Sequence, residues 1–148
     1  MIPILMMVTE IETAPLTFEY KGKQIVVADS PGLYDKKSIQ GYVEKGKDGA
    51  YYVFLDISVI NIWIHETDVK RFLIAHEIGH IMLGHVDIKT DVWKAEREAD
   101  CFALKLLAEN GISGHFIAEG YYDMIVDEPV SGRPGRIAHM SFIEKCDN

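Results

Sequence analysis

Residues 72–84, Phe72-Leu73-Ile74-Ala75-His76-Glu77-Ile78-Gly79-His80-Ile81-Met82-Leu83-Gly84, decide how the rest of this 148-residue chain is read. Apolar residues continue from Thr67 through Leu83 until Gly84 supplies a stop, which predicts a helix capped by Thr67 or Asp68. Its apolar face is broad, so the helix is expected to be buried. Residues four apart share a helix face, so His76 and His80 point the same way with Glu77 beside them.

Downstream, Asp91 to Asn110 predicts a second helix, with Asp91 as cap, Ala99, Ala103, Leu106 and Leu107 on one side and Gly111 as terminator. Ser113 caps a third, residues 127–136 form a loop rich in Pro and Gly, and Ile137 to Lys145 form a short last helix. Upstream the pattern favours strands. Leu16 to Tyr20 and Gln24 to Ala28 flank the turn Lys21-Gly22-Lys23, and Asp29-Ser30-Pro31-Gly32 ends the second strand. Gly41 to Glu44 and Tyr51 to Asp56 are two more, separated by the polar turn Lys45 to Gly49. The expectation is one α+β domain over residues 1–148, a small N-terminal sheet followed by helices.

Composition narrows the partners. Twenty-three acidic against fifteen basic residues leave a formal charge of -8, with no Lys/Arg stripe, so a nucleic-acid surface is not expected. The apolar run Met1 to Val8 lacks a basic start and a cleavage site, and no segment approaches the roughly 20 apolar residues that span a bilayer. Cys101 and Cys146 are read as two reduced thiols, Cys101 as a small core residue, in a cytoplasmic protein without membrane contact.

His76-Glu77-Ile78-Gly79-His80 is the pattern H-E-x-x-H, a half-site in which two imidazoles converge on one metal ion. Hydrolytic zinc sites take three protein ligands and keep a fourth position for water. Glu96 is the best third ligand, because Glu96 and Asp100 stand one turn apart on the second helix. If the two helices cross, Glu96 reaches the metal while Asp100 accepts a hydrogen bond from a ligand histidine's other ring nitrogen. Gly79, Ala99 and Ala103 favour such a crossing. His85 does not fit the metzincin spacing and is read as a helix C-terminal residue near free carbonyls, and His65 is read as unrelated to the site.

Together, H-E-x-x-H and Glu96-Arg97-Glu98-Ala99-Asp100 (E-x-x-x-D) resemble the gluzincin metallopeptidases. The longer string Ala75 to His85, followed by Glu96 to Leu107, is similar to the ImmA/IrrE family of regulatory metalloproteases and to single-domain minigluzincins. Residue 100 is Asp where many ImmA/IrrE members have Asn. The resemblance implies a zincin-like fold, a small twisted sheet packed on the active-site helix, with an edge strand that takes an extended peptide by strand addition. Tyr51 to Asp56 is the candidate edge strand.

On this reading the chain is a Zn2+-dependent endopeptidase acting on a protein or peptide, with a regulatory protease for one specific protein as the narrower form. Its ligands are His76, His80 and Glu96, and Glu77 acts as base and then acid. His115, Tyr121, Tyr122, Arg136 and His139 are all open as oxyanion donors. The alternative is a zinc-binding interaction module or inactive pseudo-peptidase, against which the base Glu77 argues, because structural zinc needs none.

Overall fold

The computed structural model describes residues 14–33, 41–61, 66–124 and 132–146. The run Met1 to Val8, His65 and residues 127–131 of the expected loop lie outside them. Strands β1 (Leu16–Tyr20) and β2 (Lys23–Asp29) form the expected hairpin, with Leu16 opposite Val27 and Tyr20 opposite Lys23. Its turn is tighter than expected: Lys21 and Gly22 both take positive φ, 48° and 83°, and Lys23 joins the strand. Two left-handed residues match the twist of the flanking strands. Strands β3 (Gly41–Lys45) and β4 (Tyr51–Leu55) form a second antiparallel hairpin.

The hairpins join through a parallel β2–β4 pair, giving a mixed four-stranded sheet of order β1-β2-β4-β3. Strand β4 is therefore central, which corrects its reading as the edge. Tyr51, Val53 and Leu55 alternate inward and are buried, and such alternation looks the same on a central strand and on an edge. The edge beside the first long helix is β3.

A one-turn helix, α1 (Ile57–Ile60), precedes α2 (Glu66–Met82). The latter begins at Glu66, so Thr67 and Asp68 fall inside its first turn rather than capping it. There the Asp68 carboxylate favours the positive helix end and meets Arg71 at 3.4 Å. Helix α3 (Val92–Glu109) starts at the expected cap, the Asp91 carboxylate accepting from the Lys94 N–H at 3.0 Å, and stops at Gly111, φ +75°. Helices α4 (Gly114–Met124) and α5 (Arg136–Lys145) complete an α+β architecture. Among the described residues no helix is long and apolar enough to cross a membrane.

The core lies between the sheet and α2. Ile25, Val27, Val53 and Leu55 face Phe72, Ile78 and Ile81 across it, all fully buried. On its other side α2 crosses α3 closely at Gly79: a Cβ there would stand 3.3 Å from Ala99 Cα and 3.1 Å from Phe102 Cβ.

Cys101 and Cys146 are disulfide-bonded, with Cα atoms 5.3 Å apart. This overturns the reading as two free thiols and removes the thiol argument for a cytoplasmic location. Forty-five residues separate the two in sequence, and only the return of α5 onto α3 brings them together. Two stability outcomes follow. Gly79→Val is expected to lower unfolding free energy by about 1–3 kcal/mol through overpacking at the crossing. Cys101→Ser removes a cross-link over a long loop and is expected to cost about 2–4 kcal/mol. Urea unfolding of each variant beside wild type measures both.

Candidate metal centre

His76 and His80 project from one face of α2 toward α3, where Glu96 lies one turn before Asp100. His80 Nε2 is 3.1 Å from His76 Nε2 and 2.7 Å from Glu96 Oε2, and His76 Nε2 is 3.5 Å from that same oxygen. One donor atom from each residue thus falls within 4.8 Å of the others, and all three residues are buried. Tetrahedral coordination with bonds of about 2.0–2.1 Å separates ligand atoms by about 3.3 Å. The triangle has that size. Two imidazole nitrogens this close repel through their lone pairs unless a proton or a cation lies between them. A buried His76, His80 and Glu96 group could therefore hold a metal ion.

Asp100, fully buried, organises the far side of His76. Its Oδ1 lies 2.9 Å from His76 Nδ1 and accepts from the Tyr122 hydroxyl at 2.6 Å, while Oδ2 lies 2.7 Å from His139 Nδ1. A carboxylate only accepts, so the His76 Nδ1 proton points at Asp100, and in the neutral ring this leaves the Nε2 lone pair for a cation on the Glu96 side. That geometry is the one expected of Asp100 from sequence.

Burial opposes every charge here, and the neighbours decide the outcome. Desolvation alone would depress the His76 pKa, but the Glu96 and Asp100 carboxylates outweigh it and hold it well above the ordinary value. Desolvation pushes Glu96 up, yet His76 and His80 carry it well below the ordinary carboxylate range. Asp100 is likewise opposed by burial and lowered on balance by His139 and His76. Glu77 is different. Burial dominates and its pKa is raised, despite the nearby histidines. Tyr122 is raised well above 10 by burial and by Asp100, so it stays a hydroxyl donor.

An open cleft of ≈ 500 Å³ reaches this group, lined by Glu77, His80 and Glu96, by residues 42–45 of β3, and by Arg133. A Cβ added at Gly41 would stand 3.9 Å from Glu77 Oε1, so the Glu77 carboxylate lies close to the start of the edge strand.

The open set of later donors separates in space. His139 stacks on Tyr122 and brings Nε2 to 3.8 Å from Glu96 Oε1. The Tyr122 hydroxyl is committed to Asp100, Tyr121 packs on Phe72, and Arg136 lies 3.7 Å from Asp123. His115 has no contact with the group among the described interactions. Sequence reading missed Arg133, whose Nη2 lies 3.3 Å from Glu96 Oε1; its loop is tied down by Trp93 Nε1 donating to the Gly132 carbonyl at 2.9 Å. Nothing in local spacing marks it, because α5 must first fold back. His85 was also undervalued: it lies 3.0 Å from His80 and 3.0 Å from Glu98, and burial depresses its pKa.

Asp100→Ala leaves three buried donors without their acceptor and is expected to cost about 3–5 kcal/mol, measured by denaturant unfolding in a chelator so that metal does not contribute. Comparison with protein-family models, curated proteins and solved structures gives no match to this chain.

Proposed function

We propose that this chain is a zinc-dependent endopeptidase of the gluzincin type, with His76, His80 and Glu96 as ligands and Glu77 as the proton carrier. The observation that carries the reading is the convergence of His76 Nε2, His80 Nε2 and Glu96 Oε2 beside an open cleft that also holds Glu77. Two imidazoles and one carboxylate are a donor set that hydrolytic zinc, a borderline-soft cation, takes, with a further position left for water.

Zinc held there supplies a Lewis acid that polarises a carbonyl and brings the pKa of water toward about 7. The protein does the rest. Burial raises the Glu77 pKa above the ordinary carboxylate value, which makes it a stronger base for the water proton and a carrier able to release that proton to the departing amine. Arg133 lines the cleft and carries fixed N–H donors, so it is the donor best placed for negative charge developing on the carbonyl oxygen.

The cleft wall supports a peptide substrate. Among the described residues β3 pairs with β4 on one side only, so its other edge offers main-chain groups to an extended peptide. Main-chain pairing holds the peptide, and Tyr42, Val43, Glu44 and Lys45 grade its side chains. A regulatory protease acting on an exposed segment of one protein is the narrower form of this reading, in keeping with the resemblance to the ImmA/IrrE family.

Elemental mass spectrometry of tag-free protein is expected to find about one zinc per chain, falling sharply in Glu96→Ala. Zinc at 100 times its dissociation constant is expected to add about 2.7 kcal/mol of stability to wild type. Glu77→Gln is expected to keep the zinc and to lose about 10²–10⁴-fold in peptide hydrolysis. Wild type that takes up no zinc sinks the proposal, and zinc uptake with function unchanged in Glu77→Gln favours a zinc-binding module.

A further inference from the structure

Helix α2 ends in a motif that returns the chain onto its own last turn. The Gly84 N–H meets the Ile81 carbonyl at 3.2 Å, the His85 N–H meets the His80 carbonyl at 3.0 Å, and Gly84 takes φ +79°. This is the Schellman pairing, in which the residue after the left-handed position lies against the residue five before it. That contact is commonly apolar. Here the two residues are His85 and His80, and His80 is a ligand in the proposed centre.

The contact has a direction. His85 Nδ1 lies 3.0 Å from His80 Nδ1, while His85 Nε2 lies 3.0 Å from Glu98 Oε1 on α3. A carboxylate accepts only, so the His85 proton sits on Nε2 and donates to Glu98. His85 Nδ1 is then a lone pair, and the facing His80 Nδ1 must carry the proton between them. With Nδ1 protonated, neutral His80 presents a bare Nε2 toward His76 Nε2 and Glu96 Oε2. A bare nitrogen 2.7 Å from a carboxylate oxygen needs a proton or a cation between them, and in the proposed centre the metal ion would take that place.

We infer that His85 and Glu98 are positioning residues of the metal centre, a hydrogen-bonded chain from Glu98 through His85 to His80 Nδ1 that fixes the tautomer and ring orientation in which His80 binds metal. This rests on the metal-centre reading above. Each ligand histidine then has its own acceptor: His76 reaches a carboxylate directly at Asp100, and His80 reaches one through a second imidazole. Outer partners of this kind set ligand orientation and basicity. The His85 side chain is 5 % exposed and that of Glu98 37 %, so the acceptor facing His80 is shielded while the anchoring carboxylate sits at the margin.

The test is Zn2+ affinity of the full chain, by competition with a chromophoric chelator, with the thermal unfolding of the chelated protein measured in parallel. His85→Phe keeps the ring volume and removes the acceptor; His85→Asn restores an acceptor where Nδ1 stood. His85→Phe is expected to weaken zinc binding by about 10–100-fold, and His85→Asn to recover most of that loss, with unfolding of the chelated forms alike. Glu98→Ala, at a partly exposed side chain, is expected to weaken binding by a smaller factor and keeps the test open if His85→Phe does not fold. Wild-type affinity in His85→Phe, affinity as weak in His85→Asn as in His85→Phe, or unchanged affinity in Glu98→Ala overturns the positioning role while the metal centre stands. A wild-type chain that binds no zinc overturns both.

Discussion

Where α2 crosses α3, a missing side chain sets the geometry of everything around it. Gly79 lies between His76 and His80, and the backbone of Ala99 sits where its Cβ would press. The helices approach until Glu96 meets both imidazoles and Asp100 reaches behind His76. The spacing of four residues recurs on both helices, so two histidines and two carboxylates mesh at one level. A larger residue at 79 would push the axes apart and draw the carboxylates away from the rings. The helix accepts about 1 kcal/mol of intrinsic cost for that glycine.

Such a cluster is expensive to bury, and its neighbours are arranged to offset the expense. Charge on Glu96 and Asp100 is opposed by desolvation and rescued by the histidines, while Glu77 yields to desolvation and is raised. In the proposed centre this contrast would separate two jobs within one cavity. Carboxylates that stay ionised suit cation binding, and one poised upward suits proton transfer. From the C-terminal part come His139 and Arg133, both near Glu96 Oε1. The Cys101–Cys146 bond ties the end of α5 to the residue after Asp100, so the helix carrying His139 is covalently held against the centre.

Features governed by neighbours in sequence were legible, and those governed by chain return were not. Asp91 as a cap and Gly111 as a stop need only a few adjacent residues, and both hairpins announced themselves by alternation and turn composition. The centrality of β4 was hidden, because strand order is set by which hairpin edge meets which, and alternation carries no record of it. His85 was readable only in part. Gly84 pointed to a helix stop, but that stop also returns His85 to His80 and brings it against Glu98 on the next helix.

By itself the sequence determined the change from strands to helices, the pairing of His76 with His80 on one helix face, and the offer of Glu96 and Asp100 from one face of another. Each depends on the 3.6-residue repeat or on local turn chemistry, interactions that span a few bonds. Only the tertiary structure decided that the two faces meet, that β3 and not β4 borders the cleft, that Cys101 finds Cys146, and that Arg133 and His139 come to Glu96. Those outcomes depend on the order in which elements pack around one core, and contacts between residues tens of positions apart leave no periodic trace in the chain.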